Sequence, residues 1–139
     1  MPPFLLDTDI FSLWAIGHQV VRARLAAHPA ADVGVTVLTL DEALTGWKTA
    51  LRRAGTNDDR AAVYGRMAAT AGALRQVHVV TCSRTALDRY DALRALKLNV
   101  GNNDLRIAAI ALEAGATVVT RNLRDFRRVP GLTCEDWSV

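Results

Sequence analysis

The sequence predicts an α/β fold, a three-layer α/β/α sandwich built around a short, mostly parallel sheet. Stretches of helical periodicity alternate with short apolar or β-branched runs, which lie at residues 4–6, 33–37, 77–80 and 117–120. The first run is apolar throughout, which is typical of a parallel strand that is buried on both faces. The last run follows directly after a helical stretch, and a helix followed at once by a buried strand is half of a βαβ unit.

Six helices are expected between and after these strands, and they cover residues 10–16, 20–27, 39–55, 57–74, 84–96 and 103–115. Thr8 or Asp9 caps the first helix, and the second ends before Pro29. Thr39 begins the third helix, which carries its apolar residues on one face and ends at Gly55.

The fourth helix pairs with the third as an antiparallel hairpin, because the connection between them is short. Ser83 caps the fifth helix. Asn103 is a good N-cap for the sixth, Asp104 lies in its first turn, and Gly115 supplies the left-handed residue that ends it. Residues 133–135 are expected to add an edge strand.

Composition favours a single domain over residues 1–139, because half of the residues are hydrophobic and suffice for one core. No apolar run approaches the roughly 18–20 residues that cross a bilayer, and the start lacks the basic region of a secretory signal. Cys82 and Cys134 lack metal-ligand spacing and are expected to be free thiols of a cytoplasmic protein. The net charge of +3 permits an anionic partner without identifying one.

Acidic and amide side chains fall where an α/β sheet gathers its chemistry. Asp7 ends the first strand, and Glu42 and Asp104 are expected in the first turns of their helices. Asn122 and Asp125 follow the strand at residues 117–120. Strand ends and helix starts share one edge of a parallel sheet, so these groups can converge in a cleft. Clustered carboxylates suit Mg²⁺ or Mn²⁺, and a metal-activated water suits hydrolysis at phosphorus.

Each acidic position also has a purely structural interpretation. Glu42 stands three residues after Thr39, which is the spacing of a capping box. Asp104 could complement its helix dipole, and Asp7 could cap a helix. Asp125 could pair with an arginine on a solvated turn. Joint placement at one predicted edge is what favours a functional site.

Four blocks of the chain resemble, in order and spacing, those of PIN-domain ribonucleases; they read LLDTDIFS, TVLTLDEAL, NNDLRIAAIALEAGATVVTRNLRDF and VPGLTCEDW. The resemblance covers nearly the whole chain and is greatest to the VapC-type toxins of bacterial toxin–antitoxin pairs. It implies a PIN-like fold with an acidic pocket that holds Mg²⁺ or Mn²⁺.

By position, Asp7, Glu42 and Asp104 match the three metal-site carboxylates of that family. Many PIN domains have an aspartate directly after the last strand, where this chain has Asn122. Asp125 lies three residues further on, and we expect it to contribute directly or through a water, with Asn122 as a neutral partner. The resemblance thus implies four catalytic carboxylates and a metal site formed by these four with the amide; the catalytic residues are Asp7, Glu42, Asp104 and Asp125.

The resemblance also implies that the protein is the toxin of a type II toxin–antitoxin system and cleaves structured RNA such as tRNA or rRNA. A small VapB-like antitoxin would wrap the toxin and block the acidic pocket, and a homodimer is expected. Ser12 and Thr120 are expected to make minor polar contacts. The candidates for contacts with backbone phosphates are Arg22, Arg24, Arg52, Arg53 and Arg106.

Two other functions stay open. A receiver-like signalling domain also has acidic residues at strand ends, but it needs a lysine near the last strands, and Lys48 and Lys97 lie elsewhere. A degenerate PIN-like domain would bind RNA or a protein partner without cleavage. Asn122 favours this second alternative, because the loss of one anionic ligand weakens metal affinity.

Trp137, near the C-terminus, is expected to anchor an interface.

Overall fold

A five-stranded parallel sheet forms the centre of the protein, as the sequence predicts. The strands are β1 (Phe4–Leu6), β2 (Val33–Thr36), β3 (His78–Val80), β4 (Thr117–Val119) and β5 (Cys134–Glu135). The computed structural model describes all residues from Met1 to Val139. Its strands lie side by side in the order β3-β2-β1-β4-β5, and every neighbouring pair is parallel. The α/β fold class is therefore confirmed.

Seven α-helices connect the strands; they are α1 (Thr8–Ala15), α2 (Gln19–Ala26), α3 (Val37–Arg53), α4 (Asn57–Leu74), α5 (Arg84–Ala95), α6 (Asn102–Ala114) and α7 (Leu123–Phe126). A short 3-10 helix at Ala30–Asp32 precedes β2. The predicted turn after β4 contains the short helix α7. None of the helices is long and apolar enough to span a membrane.

Helices cover both faces of the sheet, so the molecule has the three predicted layers. Successive strand residues point to opposite faces. Leu5 and Val118 pack into a core with side chains of α5, α6 and α7, whereas Leu6 and Val119 pack into a second core with α1 and α2. All four of these strand side chains are fully buried, and each such burial contributes about 1.5–3 kcal/mol.

The order of the strands places a topological switch beside β1. From β1 the chain builds outward through β2 and β3 and then returns to the other side of β1 with β4 and β5. Ligands of such sheets bind beyond the carboxyl ends of the strands, at the point where the direction of building reverses. The residues that follow β1 and β4 therefore lie at the expected functional edge.

The predicted cap of α3 is wrong, and among the caps considered for α1 the structure confirms Asp7 and not Thr8 or Asp9. The cap of α1 is Asp7, whose Oδ1 accepts a hydrogen bond from the Ile10 amide at 3.1 Å. The cap of α3 is Thr36, whose hydroxyl accepts from the Leu38 amide at 3.2 Å. Thr39 is consequently a fully buried residue within α3. It does not cap the helix, so the capping-box interpretation of Glu42 is also wrong.

Smaller corrections concern α6, α3 and the C-terminus. Gly101 rather than Asn103 precedes α6 as its cap, and Asp104 lies in the first turn as predicted. Glu42 lies in the second turn of α3 and not in the first. Trp137 does not lie on the surface as an interface anchor. Its ring is fully buried and stacks on His28, with 4.7 Å between the ring centroids.

Candidate active site

A small polar cavity of about 140 Å³ opens at the carboxyl edge of the sheet, beside the switch between β1 and β4. Three of the predicted carboxylates line it although they come from distant parts of the chain. Asp7 follows β1, Glu42 projects from α3, and Asp104 projects from the first turn of α6. The complete lining is Asp7, Thr8, Asp9, Glu42, Asp104, Ile107 and Asn122.

Asp7 is the most buried of these carboxylates, with 8% of the residue exposed. Its Oδ1 accepts from the Ile10 amide, and its Oδ2 accepts from the Thr120 hydroxyl at 2.5 Å. Burial raises the pKa of Asp7 from about 3.8 to about 6, although these two hydrogen bonds act to lower it. The negative charges of Asp9 and Asp104 raise this pKa further.

Glu42 is held by a threonine of the neighbouring helix. The Thr8 hydroxyl donates to Glu42 Oε1 at 3.0 Å and lies 3.3 Å from the Thr39 hydroxyl. Burial raises the pKa of Glu42, the Thr8 hydrogen bond lowers it, and the charge of Asp7 raises it. The buried Thr39 thus belongs to a polar chain behind the cavity.

Asp104 and Glu42 line the same cavity, and their negative charges repel each other. Burial raises the pKa of Asp104, and the negative charges of Glu42 and Asp125 raise it further. Asn122 opposes this effect through a long hydrogen bond, because its Nδ2 lies 3.5 Å from Asp104 Oδ2. All three carboxylates have a raised pKa, so each would gain from a cation in the cavity.

The structure separates the two candidates for the fourth position. Asn122 lines the cavity, whereas Asp125 does not. Asp125 accepts from Asn122 Nδ2 at 3.0 Å and from Arg128 Nη1 at 3.3 Å. Asn122 therefore lies in the cavity with the three carboxylates. Asp125 lies outside the cavity and is connected to it by the hydrogen bond with the Asn122 amide.

Some residues at the cavity were missed, and some predicted ones lie elsewhere. Asp9 lines the cavity and pairs with Arg121, whose Nη2 lies 3.2 Å from Asp9 Oδ2. Its spacing of two residues from Asp7, across the start of α1, could have indicated this position. Thr8 also lines the cavity, although the sequence indicates it only as a helix cap. Ser12 lines a groove between α1, α3 and α4 instead.

The five arginines proposed for phosphate contacts do not line the cavity. Arg22 donates to the Trp14 carbonyl, and Arg24 donates to the carbonyl of the C-terminal residue. Arg106 lies over the Tyr90 ring, with 4.6 Å from its Cζ to the ring centroid. Arg52 and Arg53 are exposed in the last turn of α3. Their contact with a phosphate backbone stays a prediction.

The donor set of the cavity is chemically suited to a hard divalent cation. Carboxylate, hydroxyl and amide oxygens are the ligands that Mg²⁺ and Mn²⁺ take, and Mg²⁺ often binds only one or two carboxylates and keeps several waters. No three His, Cys, Asp or Glu side chains are placed to hold one ion together. Hydrogen bonds engage both oxygens of Asp7 and one oxygen each of Glu42 and Asp104, which leaves one oxygen of Glu42 and one of Asp104 without a protein donor.

Comparison with known proteins identifies the family. The family model of the PIN domain matches residues 4–132, which is nearly the whole chain. The chain therefore belongs to the PIN-domain family, and the resemblance expected from its four sequence blocks is confirmed. A chain in the crystal structure of DNA-bound VapBC from Salmonella typhimurium is similar over 99% of both chains, with 27% identity and a TM-score of 0.83.

Curated relatives are similar over shorter stretches. Ribonuclease VapC2 of Rickettsia felis is 50% identical over 41 residues, which are 30% of this chain and 31% of that protein. The tRNA(fMet)-specific endonuclease VapC of Salmonella typhimurium is 53% identical over 38 residues, which are 27% of this chain and 29% of that protein. The matched stretches thus span less than a third of the length of these relatives.

Proposed function

We propose that this protein is a VapC-type toxin of a type II toxin–antitoxin system, acting as a Mg²⁺- or Mn²⁺-dependent endoribonuclease. One observation carries the proposal. Three carboxylates from separate elements, Asp7, Glu42 and Asp104, line one cavity at the topological switch of a PIN-domain sheet. Carboxylates without a counter-ion would not be gathered in this way for stability alone, because burial and mutual repulsion raise the pKa of each.

Similarity to named nucleases supports RNA as the substrate. The Rickettsia felis relative is a ribonuclease, and the Salmonella typhimurium relative is an endonuclease specific for tRNA(fMet). A structured RNA, either tRNA or rRNA, is therefore the proposed substrate, and hydrolysis of a phosphodiester bond is the proposed reaction. The location in the cytoplasm, where these RNAs are found, stays a prediction.

The proposed metal site consists of Asp7, Glu42 and Asp104, with Asn122 as a neutral oxygen donor, and Asp125 contributes to it through its hydrogen bond with Asn122. A divalent cation bound there would supply an activated water and would neutralise charge on the phosphate. The protein's own contribution is to hold the carboxylates. Thr120 holds Asp7, the cap of α1 fixes its other oxygen, and Thr8 holds Glu42.

A VapB-like antitoxin is the proposed partner. The similar Salmonella typhimurium chain is part of a DNA-bound VapBC complex, which supports a toxin–antitoxin pairing for this chain as well. We further propose a homodimer, as the resemblance implies.

Cleavage of a mixed tRNA and rRNA pool tests the proposed activity. Purified protein should give discrete products with Mg²⁺ or Mn²⁺ and none with a chelator. Asp104→Asn keeps the size of the side chain and removes its charge, so it should lower the cleavage rate by about 100-fold or more. Asp88→Asn makes the same change on an exposed residue of α5 and should cleave like the wild type.

The alternative is a degenerate domain that binds RNA or a protein without cleavage, and Asn122 is the observation that favours it. A folded protein that neither cleaves the RNA pool nor binds Mn²⁺ would support this alternative. Equal cleavage by the wild type and Asp104→Asn would instead place any activity outside the proposed site.

A further inference from the structure

Asn122 and Asp125 both follow β4, and their side chains are joined by a hydrogen bond. Asn122 Nδ2 lies 3.0 Å from Asp125 Oδ2 and 3.5 Å from Asp104 Oδ2. The other oxygen of Asp125 accepts from Arg128 Nη1 at 3.3 Å. Both oxygens of Asp125 are therefore engaged, and Asn122 lines the cavity whereas Asp125 does not.

The two carboxylates determine the direction of the Asn122 amide. Carboxylates accept hydrogen bonds, so the NH₂ group must face them, and the Oδ1 atom lies on the other side of the planar amide. The backbone amide of Asn122 donates to the Thr120 hydroxyl at 2.9 Å, which restrains the chain at the same point. The amide thus keeps one orientation and leaves Oδ1 free of both carboxylates.

We propose that Asp125 is a positioning residue and not a metal ligand. It holds the Asn122 amide so that Nδ2 binds Asp104 and Oδ1 is offered to a divalent cation or to its bound water. Groups that hydrogen-bond to metal ligands fix ligand orientation in this way. The inference rests on the proposed function, because it assumes that the cavity takes a cation.

Arg128 binds the oxygen of Asp125 that Asn122 does not contact. Its Nη1 atom also donates to the Asn99 carbonyl at 2.8 Å. Asn99 has a positive φ of 59° and lies in the loop that leads to α6, which carries Asp104. Arg128 therefore balances the charge of Asp125 and fixes it to the segment before Asp104.

A double-mutant cycle on Mn²⁺ affinity tests the proposal. The Mn²⁺ dissociation constants of the wild type, Asn122→Ala, Asp125→Ala and the double variant would be measured by electron paramagnetic resonance of free Mn²⁺. Each single change should weaken binding by about 10- to 100-fold. The double variant should be no weaker than the weaker single variant, because Asp125 acts only through Asn122. Effects that multiply in the double variant would overturn the proposal, since they indicate two separate ligands.

Arg128→Gln is the matched control for a purely structural effect. It removes the link between Asp125 and the Asn99 loop and leaves the contact between Asp125 and Asn122. We expect it to weaken Mn²⁺ binding far less than Asp125→Ala. Equal losses would show that Asp125 acts by anchoring the loop, which would overturn the proposal. Asp125→Leu, which is similar in volume and cannot accept a hydrogen bond, replaces Asp125→Ala in the cycle if the alanine variant does not fold.

A second readout does not depend on metal or on RNA. The side-chain NH₂ resonances of Asn122, assigned by their loss in Asn122→Ala, should shift and exchange faster with water in Asp125→Ala. Unchanged resonances would overturn the positioning of Asn122 even if the protein cleaves RNA. Changed resonances in a protein that binds no Mn²⁺ would support the positioning and count against the proposed function.

Discussion

Asp7 caps a helix and lines the acidic cavity with the same carboxylate. It caps α1 through Oδ1 and accepts from Thr120 through Oδ2. Its burial makes the charged form costly, because its pKa rises from about 3.8 to about 6. The folded protein therefore binds this proton more tightly than the unfolded chain does. The stability gained in this way is complete below about pH 4 and is lost as the pH rises through about 6.

Asp7→Asn should stabilise the fold at pH 8 in the absence of divalent metal. The change removes a buried charge, and asparagine caps helices about as well as aspartate. The pKa shift corresponds to about 3 kcal/mol, and imperfect replacement of the Thr120 hydrogen bond should reduce the gain to about 1–2 kcal/mol. At pH 4 the gain should disappear, because Asp7 is protonated in the folded wild type. Urea unfolding with a chelator at the two pH values measures this difference.

Asp88→Asn is the control for this stability prediction, since it removes one charge from an exposed side chain. It should show no comparable gain at pH 8. A loss of stability for Asp7→Asn that is the same at both pH values would contradict the prediction, because it would mean that the carboxylate contributes only hydrogen bonds.

Sequence patterns identified the carboxylates of the cavity better than the residues that hold them. Asp7 and Asp104 could be located because a strand end and a helix start are visible in the sequence. Thr8 and Thr39 could not be assigned, because their contact joins side chains 31 residues apart. Asp125 shows the same limit, since sequence spacing cannot tell a side chain that faces the cavity from one that faces Arg128.

Among the strands, Gly34 of β2 lies where a side chain has no room. A Cβ atom at this position would lie 2.8 Å from the His78 carbonyl oxygen and 2.8 Å from Pro2 Cγ. The backbone of β3 cannot move away without losing its pairing with β2. Glycine is therefore required here by space and not by backbone conformation.

Gly34→Ala should lower the free energy of unfolding by about 1–3 kcal/mol, because overpacking forces the sheet apart. Gly65→Ala is the matched comparison, since a Cβ atom within α4 at this position meets nothing within 4 Å. That change should raise the free energy of unfolding by about 0.5–1 kcal/mol through helix propensity. Chemical denaturation of both variants measures the free energy of unfolding, which should fall in Gly34→Ala and rise in Gly65→Ala. A neutral Gly34→Ala would contradict the close approach of β2 and β3.

The helices show where local sequence patterns mislead. Thr36 and Thr39 are both good capping residues, and the pattern alone favoured the second. In the structure β2 runs directly into α3, and the hydroxyl of Thr36 already caps the helix. Thr39 is then one turn inside, where it is buried beside Thr8. The contact between Thr8 of α1 and Thr39 of α3 is not visible in the sequence, so the pattern alone cannot distinguish the two caps.

Taken together, the strand order brings together groups that are more than 110 residues apart in the chain, as the contact between Asp7 and Thr120 shows. The alternation of strands and helices predicted the parallel sheet, and the parallel sheet predicted a common edge for the acidic residues. Composition alone could not predict the site, because a chain of net charge +3 contains a distinctly acidic cavity. A net positive charge of the whole chain is compatible with a polyanionic substrate.

Titration with Mn²⁺ examines most directly whether the acidic cavity is a metal site. Free Mn²⁺ would be followed by electron paramagnetic resonance in the wild type, Asp7→Asn, Glu42→Gln, Asp104→Asn and the control Asp88→Asn. We predict saturable binding by the wild type and the control, with a large loss of affinity in each of the three cavity variants. Wild-type binding that none of the three changes weakens, or no saturable binding by the folded wild type, would contradict a metal site formed by these carboxylates.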